Sequence, residues 1–262
     1  MPQFNDFDLT GENWKNYEDI MTDSLWVINE RDKSGKHSNF YHGNFIPQIP
    51  NQLIQRYTKK GDYVLDLFVG SGTTAIECEK LGRNVIGVDI QQDLIDRLDL
   101  LIDNKIEKKF IVGDSGSVKT LNQIEKYLNE KEKKDVDLVF LHPPYFDIIK
   151  FSENKEDLSN TKSLQEFLKL FKKVLKNSYL LLKSKGYLAI VIGDKYQNSE
   201  WIPLGFQCMA EAQKVGFTLK SIIVKNMEGN RGKIGSGGIW RYRALNSDYY
   251  IFKHEYILIF KK

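Results

Sequence analysis

The feature that most restricts this chain is a short apolar run, Tyr63-Val64-Leu65-Asp66-Leu67, that passes through Phe68-Val69 into Gly70-Ser71-Gly72 and opens a helix at Thr73-Thr74. Two glycines at such a junction let the backbone turn tightly and let a ligand approach it, which is the geometry of a ligand-binding βα unit. Downstream, short β-branched apolar runs keep alternating with longer amphipathic stretches, a pattern that predicts a layered α/β fold around a mostly parallel sheet. The expected strands cover residues 63–67, 84–89, 109–112, 136–141, 187–193, 218–225 and 256–261; the expected helices cover 73–81, 92–105, 117–129, 164–182 and 204–214.

A chain of 262 residues, 41% of them hydrophobic and 28% charged, is long enough to bury one sizeable core, so residues 1–262 are expected to form a single domain. No run of eighteen apolar residues occurs, and Met1-Pro2-Gln3-Phe4-Asn5-Asp6 lacks a basic region followed by an apolar stretch; a soluble, cytoplasmic protein with no membrane association is expected. Cys78 and Cys208 stand far apart without any Cys/His spacing suited to zinc, so both read as buried thiols and no metal is expected. The net charge of +3 is too small to demand a polyanionic partner. Its distribution is more informative: from residue 220 onward nine cations face three acids, an excess suited to a phosphate backbone.

Taken alone, Gly70-x-Gly72-x-x-Ala75 also satisfies a relaxed nicotinamide fingerprint. Two acidic residues shift the balance. Asp66, four residues before Gly70, is placed to hold the ammonium of a bound amino-acid moiety, whereas a pyrophosphate would be repelled there; its alternative is a carboxylate that merely caps the turn. Asp89 ends the next strand seventeen residues after Gly72, where a carboxylate reaches ribose hydroxyls, with Ile90 beside it. Asp114, after the third strand, is placed near an adenine or in a simple turn.

The strand Val136-Asp137-Leu138-Val139-Phe140-Leu141 ends in His142-Pro143-Pro144-Tyr145, the most specific signal in the chain. Two prolines fix their backbone angles, so the carbonyls of His142 and Pro143 and the Tyr145 ring are presented rigidly at the sheet's carboxyl edge. Such a site suits a planar amine. The nitrogen of an amino group on a heteroaromatic ring is a poor nucleophile, and acceptors that draw it toward a tetrahedral state improve it, while an aromatic face stacks on a base flipped out of its duplex.

The Phe68-x-Gly70-x-Gly72 and His142-Pro143-Pro144-Tyr145 motifs resemble the two hallmarks of the DNA amino-methyltransferases. The resemblance extends to Asn44-Phe45-Ile46-Pro47 with Ile49-Pro50, similar to the segment that packs over the methionine part of the cofactor, and to 254–260, similar to the last strand of the catalytic domain; it spans about residues 40 to 262. That family carries Asp, Asn or Ser where this chain has His142, and a neutral imidazole nitrogen keeps the acceptor role available. The resemblance implies a Rossmann-like seven-stranded methyltransferase sheet with helices on both faces and the last strand antiparallel. It also implies S-adenosylmethionine as methyl donor, released as S-adenosylhomocysteine. Phe45, Pro47, Asp66, Phe68, Gly70, Gly72, Thr73, Thr74, Asp89, Ile90 and Asp114 are then the cofactor set, within which residues 1–50 act as a lid and packing segment, and His142, Pro143, Pro144 and Tyr145 are the catalytic set.

The implied reaction is methyl transfer to the N6 of adenine or the N4 of cytosine in double-stranded DNA, as in a modification methylase. No cysteine stands near the catalytic turn, which argues against carbon-5 methylation. Arg231, Lys233, Trp240, Arg241 and Arg243, within a glycine-rich, basic loop at 229–248, and the loop at 153–163 are the candidate DNA contacts. By position, Phe146 and the residues after it are expected to form one wall of the base pocket, with a loop packed onto the sheet as the alternative for Ile148 and Ile149. Alternatives remain open at this level: methylation of RNA or of a protein glutamine, or a catalytically silent nucleic-acid-binding subunit. So does the presence of a homodimer mate or a separate restriction or specificity subunit.

Overall fold

The alternation of apolar runs and amphipathic stretches is realised in a computed structural model that describes residues 3–38, 43–146, 152, 154–227 and 237–262. In chain order the elements are β1 (Leu25–Trp26), α1 (Gln48–Tyr57), β2 (Tyr63–Asp66), α2 (Thr73–Leu81), β3 (Asn84–Asp89), α3 (Gln92–Leu101), β4 (Lys108–Val112), α4 (Val118–Glu130), β5 (Val136–Leu141), α5 (Leu164–Leu181), β6 (Leu182–Ile192), β7 (Lys195–Gln197), β8 (Glu200–Ile202), α6 (Leu204–Val215), β9 (Thr218–Asn226), α7 (Gly237–Leu245) and β10 (His254–Lys261).

The main sheet runs β1-β9-β10-β6-β5-β2-β3-β4. Strands β6, β5, β2, β3 and β4 are mutually parallel, and β10 lies antiparallel between β6 and β9. The antiparallel last strand matches expectation, but the sheet has eight strands rather than seven. The extra one, β1, is a two-residue edge pairing in which Leu25 and Trp26 align with Val224 and Lys225, too short to leave a periodic signal.

Sheet residues alternate between two cores. Leu65, Val139 and Leu141 face Leu121, Phe167, Phe171 and Cys208 of α4, α5 and α6. Val64, Leu138 and Phe140 face Ile49, Leu53, Cys78 and Leu98 of α1, α2 and α3. The period of two along each strand is what assigns helices to both faces. The longest helix, α5, follows directly from sequence: Phe167, Phe171, Val174, Leu175 and Ser178 recur on one buried stripe, and the Ser163 hydroxyl caps its start by accepting from the Glu166 N–H at 3.2 Å.

Strands β2 and β5 are neighbours, yet the chain leaves β2 toward β3 and β4 and leaves β5 toward β6 on the other side. This is the point at which strand order reverses, and ligands of open α/β sheets lie beyond the carboxyl ends of the strands there. Among the described residues, no helix is long and apolar enough to cross a membrane.

Candidate active site

Asp66 and Phe140 are register partners on β2 and β5, and the Leu67 N–H donates to the Phe140 carbonyl at 3.3 Å, so the turns that follow these strands start side by side. In the first turn, Gly70 and Gly72 both adopt left-handed backbone angles (φ 51° and 89°), and Gly72 caps α2. A Cβ on Gly72 would stand 2.2 Å from Leu98 Cδ2, so glycine is required here by α3 packing as well as by the turn.

Two carboxylates, Asp66 buried and Asp89 half-buried, converge on this turn. Asp66, 1% exposed, accepts from the Phe68 N–H at 2.9 Å, and Asp89 accepts from the Gly70 N–H at 3.0 Å and the Gln91 N–H at 3.0 Å. Burial pushes Asp66 up to about 6, the Thr74 hydroxyl and then the Phe68 N–H oppose that rise, and the charge of Asp89 adds to it. Burial likewise raises Asp89. Neither carboxylate has a cationic partner among the described residues. The Thr74 hydroxyl is buried beside Asp66, Thr73 is buried next to it, and Phe68 and Ile90 are half-buried.

The second turn builds a chain of polar groups. The Tyr145 hydroxyl donates to Glu255 Oε2 at 2.9 Å and lies 3.4 Å from His142 Nε2; Lys225 Nζ donates to Glu255 Oε1 at 2.9 Å. Lys225 ends β9, Glu255 opens β10, and the two are direct cross-strand partners, with side chains only 6% and 8% exposed. Burial pushes His142 down to about 4, against the raising charge of Glu255, so its ring is neutral at neutral pH. Burial and the adjacent Glu255 push the Tyr145 phenol well up, so it keeps its proton. The Tyr145 ring rests on Gly193 just after β6, where an added Cβ would stand 2.9 Å from the ring. Phe146, also left-handed (φ 57°), is held by packing on Phe167 at 5.9 Å and by its N–H, which donates to the Pro144 carbonyl at 2.8 Å. That backbone angle is strained for a bulky residue and persists because its surroundings fix it.

The segment before α1 joins both turns. The Phe45 ring meets His142 edge-on at 4.8 Å and Phe140 at 6.5 Å, and Pro47 caps α1. The structure therefore brings together Phe45, Asp66, Phe68, Gly70, Gly72, Thr73, Thr74, Asp89, His142 and Tyr145, with Pro47, Ile90, Pro143 and Pro144 adjoining them in the chain. Asp114 sits in the turn before α4, where its side chain accepts from the Gly116 N–H at 2.8 Å and its carbonyl from the Ser117 N–H.

Two expectations change. Part of the basic loop at 229–248 is helical: Gly237–Leu245 is α7, on which Arg241 and Arg243 are exposed and Arg243 lies over the Trp240 ring at 5.3 Å. Arg231, Lys233 and residues 147–151 lie outside the described residues. The segment at 153–163 is not an open loop throughout, because it holds a 3-10 turn at Leu158–Asn160, Leu158 enters the core, and Asp157 is buried accepting from the Ser152 and Ser159 hydroxyls. His37 has a buried side chain 2.6 Å from Glu77 on α2, which also accepts from Asn51 Nδ2 at 2.6 Å.

Sequence reasoning missed Lys225 and Glu255 as site residues. Their signal was present: one charged residue of each sign at the ends of two apolar runs that form adjacent strands. It also missed the β7–β8 hairpin, whose Tyr196 and Trp201 pack on Tyr249 (4.7 Å) and Phe252 (4.3 Å). Between this hairpin and α7 lies a largely apolar cavity of about 550 Å³ lined by Tyr196, Trp240, Tyr242, Arg243 and Tyr250.

A family model described as DNA methylase matches residues 6–99 and 136–262. Type II methyltransferase M.MjaII of Methanocaldococcus jannaschii is 28% identical over 163 residues, covering 57% of this chain and 30% of that protein. Type II methyltransferase M2.DpnII of Streptococcus pneumoniae is 39% identical over 85 residues, covering 31% and 28%. The chain thus matches less than a third of the length of either relative. Among solved structures, a methyltransferase from Pyrococcus furiosus superposes with a TM-score of 0.51 at 15% identity, covering 85% of this chain and 87% of that one, a likeness of fold alone.

Proposed function

The chain belongs to the DNA methylase family, and from that membership we propose that it transfers a methyl group from S-adenosylmethionine to the exocyclic amino group of adenine or cytosine in double-stranded DNA, as a site-specific modification methylase of the cytoplasm. The observation that carries this reading is the abutment of the glycine and proline turns on neighbouring strands at the reversal of strand order, with Phe45 touching His142 between them.

The residues fit the proposed donor. It carries an ammonium, and Asp66 is a buried carboxylate without a cation among the described residues, whose raised proton affinity an ammonium would relieve. Asp89 would hold the ribose hydroxyls, the buried Thr74 hydroxyl lies beside Asp66, and Phe45 and Phe68 would flank the methionine part. Once bound, S-adenosylmethionine supplies an electrophilic methyl on a sulfonium. The chain's own contribution is acceptors and exclusion of water. A neutral His142 ring and the carbonyls of the proline turn draw hydrogen-bond density from the target amino group, and Tyr145 offers its face to the flipped base. Arg241 and Arg243 of α7 would follow the phosphates, with Trp240 and the neighbouring aromatic cavity beside them. In this reading a restriction enzyme of the same recognition site is the natural counterpart.

Incubation of the full chain with methyl-labelled S-adenosylmethionine and unmethylated duplex DNA tests it. Label is expected in DNA and absent with Asp66→Asn; label in RNA or protein but not DNA would overturn the assignment.

A further inference from the structure

His142 occupies a place where the proposed reaction needs a hydrogen-bond acceptor, and a neutral imidazole offers one acceptor nitrogen and one N–H. Which nitrogen is which is set by the bond the other one makes. The surrounding geometry decides it. A phenol has a single proton, and the Tyr145 hydroxyl commits that proton to Glu255 Oε2 at 2.9 Å. Glu255 is anchored in turn by Lys225 Nζ at 2.9 Å, itself held to the Asn226 carbonyl at 2.6 Å. The Tyr145 oxygen is then left only as an acceptor, and the nitrogen facing it at 3.4 Å is His142 Nε2.

We propose that Glu255, fixed by Lys225, is a positioning residue that acts through Tyr145 to keep the His142 proton on Nε2, so that Nδ1 presents its lone pair to the target amino group. The inference rests on the methyl-transfer reading only for the identity of that target; the tautomer itself is a property of the free protein. On transfer, the amino lone pair forms the new N–C bond while the C–S pair departs to sulfur. The excess proton on the nitrogen, strongly acidic on an aromatic amine, passes to Nδ1 and from there to solvent. A weakly basic ring suffices for that step, and the long Nε2 to Tyr145 contact tightens as Nδ1 is engaged.

The design makes a directional prediction. In Glu255→Gln, the amide oxygen turns to Lys225 and the amide N–H₂ faces Tyr145, so the phenol donates to His142 Nε2 instead and the ring proton moves to Nδ1. Histidine-selective ¹⁵N labelling of the full chain reads this directly in long-range ¹H–¹⁵N spectra, with the His142 signal identified by its loss in His142→Asn. The expected result is an Nε2–H tautomer at pH 7 in the parent and Nδ1–H in Glu255→Gln, with kcat reduced at least tenfold and KM for DNA little changed.

In the His142→Asn background, which has no tautomer to set, Glu255→Gln should cost less than threefold in kcat. Tyr145→Phe, which keeps the ring packing, should give a mixture of tautomers and covers the case in which the glutamine variant fails to fold. An Nδ1–H parent, an unchanged tautomer in Glu255→Gln or Tyr145→Phe, or an equal loss of kcat in both backgrounds would overturn the proposal. The spectra need neither DNA nor cofactor, so their failure is distinct from a failure of the methyl-transfer reading, which labelled transfer decides.

Discussion

Asp66 binds its proton more tightly than an ordinary carboxyl, about 6 against 3.8, because burial strips its water and no cation among the described residues replaces it. Two consequences have opposite signs. In the free protein the folded state holds a proton that the unfolded chain releases between those values, so this residue's contribution to stability is full below 3.8 and is lost as pH rises through about 6. Cofactor binding brings an ammonium to the carboxylate and lowers its proton affinity, so binding near pH 5.5 should release protons and affinity should fall as pH drops below about 6. Calorimetric titrations in two buffers of different ionisation enthalpy measure that release; none at pH 5.5, with affinity flat from pH 7 to 5, would count against Asp66 as the ammonium site. At the other turn, Gly193→Ala places a methyl within 2.9 Å of the Tyr145 ring while leaving every hydrogen-bonding group in place. Displacing that ring by a few tenths of an ångström should lower kcat by about tenfold or more while cofactor affinity stays unchanged. Parallel measurement of both quantities checks it, and equal losses in both would point to general damage.

The strands and helices that the sequence revealed most clearly are those with a periodic apolar face or a continuous apolar run between turn residues. Strands β2, β3 and β5 and helices α2, α5 and α6 fall within a residue or two of expectation: α5 and α6 bury a periodic stripe, and β2, β3, β5 and α2 bury continuous runs bounded by turn residues. Elements that depend on distant partners were not legible. Helix α1 hides behind Pro47 and Pro50, which suggest a turn but occupy the helix start, where proline is tolerated. The two-residue β1 exists only because β9 offers an edge, and α7 was masked by glycines next to its basic and aromatic residues. At the site, Asp66, Asp89, His142 and Tyr145 could be named because they stand beside glycines or prolines with a geometric meaning. Lys225 and Glu255 were not, because the sequence shows a charge of each sign near the ends of two apolar runs, whereas their pairing follows from the register of β9 on β10. As for function at this scale, α7 presents Arg241 and Arg243 to solvent. Reversing both charges to Glu should weaken duplex binding by at least about tenfold and reduce the salt dependence of log Kd by about 2, with cofactor affinity intact. Fluorescence anisotropy across a salt series distinguishes this from an unchanged slope, which would place the phosphate contacts elsewhere.

Across the whole molecule, one sheet separates two cores, and each core holds one of the two cysteines. Cys78 of α2 and Cys208 of α6 are both 0% exposed, and burial pushes both thiols well up. If the two faces melt as one unit, a thiol reagent should modify both residues at a common rate that tracks global unfolding, whereas earlier modification of one would show that its face opens separately. This shared sheet also fixes the spacing between the cofactor turn and the catalytic turn, because β2 and β5 are hydrogen-bonded neighbours. The account therefore stands or falls on whether the two turns serve one reaction. Nucleoside mass spectrometry of unmethylated genomic DNA after incubation with the protein and S-adenosylmethionine is the most direct test. The account predicts N6-methyladenine or N4-methylcytosine with the parent chain and neither with Asp66→Asn or Tyr145→Ala; 5-methylcytosine, or undiminished product from both variants, would contradict it.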